Sequence, residues 1–119
     1  MNAPTDPASL VSKRCVPCEG GVARYDRPDA EAQLAFLPAW QLMADGTRIR
    51  RDWKLTDFRS AIKLLNSIGA LAEREQHHPD LHLEGYSRLR VELQTHAIGG
   101  LSENDFILAA KIDAIAPPG

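Results

Sequence analysis

Two hydrophobic periods alternate along this chain. From Asp29, "DAEAQLAFLPAW" sets Ala30, Leu34 and Leu37 at helical spacing, with Asp29 as cap and Pro38 as stop. "WQLMADGTRIRRDWKL" then shifts to a period of two. Ile49, Trp53 and Leu55 share one face, with Arg51 among them, while Arg48, Arg50, Asp52 and Lys54 share the other. Asp45-Gly46 between the two arms predicts a tight two-residue hairpin turn.

The period returns to helical over residues 56–76. Phe58, Ala61, Ile62, Leu65, Ile68, Leu71 and Ala72 form one apolar stripe there, with Thr56 or Asp57 as cap. Gly69 inside this stripe predicts a close helix–sheet approach. Pro79 disfavours helical geometry in the residue before it, so the helix must end by His78. Beyond it, Leu81 and Leu83 alternate with His82, and Glu84-Gly85 suits a turn. Leu89, Val91, Leu93 and Thr95 then alternate with Arg88, Arg90, Glu92 and Gln94. Gly99-Gly100 breaks the chain, and "SENDFILAAKIDAIA" reads as a last helix with Ser102 and Asp105 at capping-box spacing. Phe106, Ala109, Ala110 and Asp113 lie along one line of it.

The order is helix, strand, strand, helix, strand, strand, helix. Strands with one apolar face and short connections imply an α+β fold, a four-stranded antiparallel sheet with helices on one face. Such a sheet has two edges, which favours pairing as a homodimer or tetramer. Residues 1–13 show no periodicity and are expected to be disordered. The reading is an N-terminal flexible segment over 1–29 and a folded domain over 30–119.

At 119 residues the chain fits one domain, and a formal net charge of −2 with mixed signs offers no basic stripe for nucleic acid. No apolar run reaches the ~20 residues of a membrane helix, and "MNAPTDPASL" lacks a signal-peptide pattern. A cytoplasmic protein is the expectation. Cys15 and Cys18 in "CVPC" supply two ligands where a structural zinc site usually takes four. Two reduced thiols in an ordered turn are favoured over a metal or redox pair.

"EQHHPDLH" holds His77, His78 and His82, and His96 follows in "LQTHAIGGL". An antiparallel strand that leaves Pro79 and returns through a tight turn brings residue 95 or 96 back near residue 78. His77, His78 and His96 could thus share one pocket, with Asp105 at its rim and Glu73 four residues before His77. Each has a plainer use: histidines suit a helix C-terminus, Asp105 a cap, Glu73 and His82 a solvated face. A metal is disfavoured because adjacent imidazoles point apart and no helical His-x-x-x-His spacing occurs.

"AEREQHHPDL" followed by "VELQTHAIGGLSENDF" resembles the pterin-4a-carbinolamine dehydratase family, and the likeness runs from about residue 31 to 115. The resemblance implies the fold above and loss of water from 4a-hydroxytetrahydropterin to quinonoid dihydropterin, without metal or cofactor. It implies His77, His78 and His96 as catalytic imidazoles, oriented by Glu73 and Asp105. Leu81 stands where family members commonly carry an aromatic residue, and the Pro79–His96 stretch is one residue longer than in mammalian-type enzymes. "CVPCEGG", "HHPDLHLEGY" and "THAIGGLSENDFILAAKID" are closer to a divergent subgroup regarded as assembly factors for RuBisCO, the carbon-fixing carboxylase. The leading expectation is therefore a RuBisCO assembly chaperone binding RuBisCO subunits, cytoplasmic or carboxysome-associated. Arg48, Arg50, Arg88 and Arg90 are its candidate contact face. An active dehydratase in pterin recycling is the alternative.

Overall fold

The computed structural model describes residues 4–17 and 22–117. Helix α1 spans Pro7–Val11, α2 Arg27–Leu34, α3 Phe58–Glu75 and α4 Glu103–Ile115. Strands β1 (Gln41–Leu42), β2 (Ile49–Lys54), β3 (Asp80–Glu84) and β4 (Arg88–Leu93) form one sheet in the order β1-β2-β4-β3. All three pairings are antiparallel. The α+β fold with a four-stranded antiparallel sheet is the expected one. No described helix is long and apolar enough to cross a membrane.

The period-two arms give the sheet two unlike faces. Ile49, Trp53, Leu89, Val91 and Leu93 join the core with Leu64, Ile68 and Leu71 of α3 and Phe106 and Ile112 of α4. On the opposite face the charges pair with one another: Arg48 reaches Glu92 at 3.0 Å, and Arg90 reaches Asp52 at 3.3 Å. His82 belongs to this face too, 3.6 Å from Glu92.

Several local details differ from the sequence reading. Residues 7–11 are helical rather than disordered. Asp6 caps α1 by accepting from the Ser9 N–H, Pro7 occupies its start, and Leu10 is fully buried. This helix packs chiefly on α4. As a result α4 is buried on nearly every side from Asn104 to Ala110, not along a single line. Helix α2 starts at Arg27, because Asp26 takes the cap by accepting from the Asp29 N–H. The Asp45-Gly46 hairpin closes through Met43 N–H on Arg48 C=O at 2.9 Å, which leaves four residues in the loop. In α3, Leu64 is in the core while Phe58 is 53% exposed. A Cβ at Gly69 would meet nothing within 4 Å, so this glycine marks no close approach.

Arg51, the cation on the apolar face, is satisfied rather than exposed. Its guanidinium pairs with Asp113, donates to Pro117 C=O at 3.2 Å and lies 4.4 Å from the Trp53 ring centre. Asp113 also accepts from the Trp40 indole at 2.9 Å. One carboxylate on α4 thus fixes the end of that helix to β2. Asp113→Ala would leave the buried guanidinium without its counter-charge and is expected to cost about 3 kcal/mol of unfolding free energy in urea melts. Asp52→Ala, on the exposed face, is expected to cost less than about 1 kcal/mol by the same measurement.

Candidate active site

Gln76 ends α3 in a left-handed conformation, φ 54°. The His77 N–H then reaches back to Ala72 C=O at 3.3 Å, closing the helix end in a Schellman-like turn. The reversal sends consecutive side chains to opposite sides. His77 folds inward and is 6% exposed, whereas His78 stays at the surface. Pro79 next holds the chain extended and leads it into β3.

The sheet register brings the second half of the site alongside. Asp80 pairs with Glu92 across β3 and β4, and the same spacing sets residue 78 beside residue 94. His96 follows two residues later, at the start of a 3-10 turn over His96–Ile98. Gln76, His77, His78, Gln94, Thr95, His96 and Ala97 consequently line one open concavity of about 210 Å³. His77, His78 and His96 do share a pocket, as the strand arithmetic requires. His82 is remote from it, on the charged face of the sheet.

Behind the concavity, Asp105 is fully buried in the first turn of α4. Its Oδ1 lies 2.6 Å from His77 Nε2. Its Oδ2 accepts from the Thr95 hydroxyl at 2.7 Å and from the Ser102 N–H at 2.9 Å. Thr95 and Ser102 hydroxyls are themselves 2.7 Å apart. Asp105 therefore completes the capping box and holds the imidazole at once. With a carboxylate at Nε2, that nitrogen carries a proton and donates it to Asp105.

Glu73 binds a different histidine from the one its i, i+4 spacing indicates. Its Oε2 is 3.0 Å from His78 Nε2, because the left-handed turn at Gln76 swings His77 away and returns His78 over the last helical turn. The hydrogen bond from His78 holds the Glu73 carboxyl below its usual value. The His96 ring makes no hydrogen bond to a described residue, so it is free to meet a ligand. Gln76, Gln94, Thr95 and Ala97 complete the lining, and sequence reasoning named none of them as a site residue. The signal for Thr95 was its inward position in the period-two pattern, just past the end of β4 and directly before His96.

The family model for pterin 4 alpha carbinolamine dehydratase matches residues 23–115. The chain belongs to that family. It is 50% identical over 107 residues to a Halorhodospira halophila protein provisionally named pterin-4-alpha-carbinolamine dehydratase, covering 90% of this chain and 97% of that one. It is 40% identical over 111 residues to the Arabidopsis thaliana mitochondrial pterin-4-alpha-carbinolamine dehydratase 2, covering 91% of this chain and 59% of that one. Among solved structures, a transcriptional coactivator/pterin dehydratase from Brucella melitensis superposes with TM-score 0.74 at 32% identity, over 80% of this chain and all of that one. A pterin dehydratase-like protein described as a RuBisCO assembly factor of the alpha-carboxysome shares the fold with TM-score 0.54 at 18% identity, over 64% of this chain and 87% of that one.

Cys15 does not line the concavity, and Cys18 falls outside the described residues. Cys15 is a free thiol, half-buried, with its pKa pushed up to about 12 by burial first and by Glu75 second. It is a protonated thiol, a poor nucleophile and a poor metal ligand in this state. Among the described residues no group of three or more His, Cys, Asp or Glu could hold a metal ion. Beside it, Glu75 accepts from the Cys15 N–H at 2.9 Å and pairs with Lys111 at 2.7 Å. Burial alone would raise the Glu75 carboxyl, but these two partners outweigh it and hold the group below its usual value. The folded state therefore binds this proton less readily than the unfolded chain. The stability it contributes is fully present above the ordinary carboxyl value of about 4.3 and is lost as pH falls through the lower folded value. Urea melts across this acid range are expected to show a steeper loss of stability for the wild type than for Glu75→Gln.

Proposed function

We propose that this protein removes water from 4a-hydroxytetrahydropterin to give quinonoid dihydropterin. The observation that carries this reading is the meeting of His77, His78 and His96 at one concavity, with His77 fixed by Asp105. Relatives at 40–50% identity that bear dehydratase names add support. The reaction needs one group to protonate the leaving 4a-hydroxyl and another to take the N5 proton. Imidazoles titrate near neutral pH and can do both without a metal or cofactor. His77 is held in one orientation by a buried carboxylate. His78 and His96 are exposed and can exchange protons with substrate and solvent. Glu73 orients His78 as Asp105 orients His77.

The test is dehydration of freshly generated 4a-hydroxytetrahydropterin. Turnover well above the spontaneous rate is expected, with kcat falling about a hundredfold in His78→Ala or His96→Ala, the usual scale for one acid–base group. Wild-type protein that leaves the spontaneous rate unchanged would overturn the reading.

Assembly of RuBisCO is the second reading, in a carboxysome-associated or cytoplasmic setting. It is supported by the subgroup likeness of the quoted motifs and by the shared fold of the assembly factor at 18% identity. It stands behind the first because an assembly role makes no use of the histidine concavity. Its arginine face is also largely self-neutralised, since Arg48, Arg50 and Arg90 each have a carboxylate within 3.3 Å. A homodimer or tetramer fits either reading. Co-expression with a RuBisCO that assembles poorly is expected to raise soluble holoenzyme if the second reading holds; an unchanged yield counts against it.

A further inference from the structure

The described part of the N-terminal segment before residue 18 is strapped to the domain, and its fastenings are specific. Near its start, the Gln33 carboxamide accepts from the Thr5 N–H and donates to the Thr5 C=O, both at 2.8 Å. Near its end, the Asn104 carboxamide does the same to Val16, at 2.9 and 2.8 Å. Each amide meets both polar groups of one backbone residue, as a neighbouring strand would. Between them Leu10 enters the core and Lys13 pairs with Glu103 at 2.9 Å. Beside Val16, Cys15 is held by Glu75, and its thiol donates to the Asn104 C=O at 3.5 Å.

The two clamps are alike in chemistry and unlike in place. Gln33 sits on α2, which supplies no side chain to the concavity. Asn104 directly precedes Asp105, and Glu75 lies two residues before His77. One end of the strap therefore binds both segments whose meeting is the 2.6 Å contact between His77 and Asp105. We propose that residues 5–16 are a positioning element for the histidine concavity, with Asn104 as the positioning residue through which the strap holds Asp105 against His77. The strap touches no substrate. It fixes the first turn of α4 relative to the end of α3, where a displacement of about 1 Å is enough to cost an enzyme large factors in rate.

The kinetic arm of the test rests on the dehydratase reading; the spectroscopic arm does not. Asn104→Ala and Gln33→Ala each remove one clamp in the full chain and serve as a matched pair. Asn104→Ala is expected to lower kcat about tenfold with little change in KM, and to shift or broaden the low-field imidazole N–H proton of His77 in NMR spectra. Gln33→Ala is expected to leave kcat and that resonance at wild-type values. Should Asn104→Ala fail to fold, Val16→Pro deletes the N–H that donates to Asn104 at an exposed position and is expected to move the same two readouts. Equal behaviour of the site-end and far-end variants, with the His77 resonance and kcat unmoved in both, would overturn the proposal and leave the strap a general fastening. If the wild type shows no dehydration, the His77 resonance alone decides the matter, so the two readings fail separately.

Discussion

A carboxylate with no access to water organises this protein. Burying Asp105 as an anion costs several kcal/mol unless donors replace its hydration. Its donors come from three places in the chain: His77 just beyond α3, Thr95 just beyond β4, and the Ser102 N–H at the start of α4. Each of these is a junction between elements. The helix–sheet packing brings the junctions together, and the anion makes their separation costly. The concavity is the outer surface of that junction, so the site and the fold share one polar centre.

The same economy explains the asymmetry of the sheet. Its inner face is filled by α3 and α4, and α4 is in turn covered by α1 and the strap that follows. A helix buried on most of its circumference can carry Asn104, Asp105 and Asp113 only because each is hydrogen-bonded. The outer face balances its charge within itself and leaves little net attraction for a polyanion. The histidine concavity lies where backbone turns rather than regular elements present the side chains.

How much of this could be read in the sequence depended on range. The convergence of His77, His78 and His96 was legible because antiparallel register is arithmetic once the turn is located. The motif around them also gave the family, which the family match over residues 23–115 bears out. Asp105 was legible as a cap and as a rim residue, but not as both at once. The partner of Glu73 was not legible, since it hinges on a left-handed glutamine that helical spacing cannot anticipate. Helix α1 escaped notice because five residues with one core leucine give no period to detect. The choice between enzyme and assembly factor was ranked by motif likeness. The packed site and the names of closer relatives favour the opposite order.

The turn between β3 and β4 lies at the far end of the sheet from the histidines, yet it governs them. Gly85 and Tyr86 are successive left-handed residues, and Tyr86 adopts φ 56° without being glycine. This twist suits a tight antiparallel ribbon and fixes Glu84 opposite Arg88. From there the alignment is transmitted rung by rung until it decides which side chains stand across from Pro79. A slip of one rung would turn Thr95 outward and strip Asp105 of a donor. A peripheral bend therefore acts as the phase-setter of the histidine concavity, and tolerance to sequence change at this hairpin should be judged by what it does to alignment rather than by its exposure.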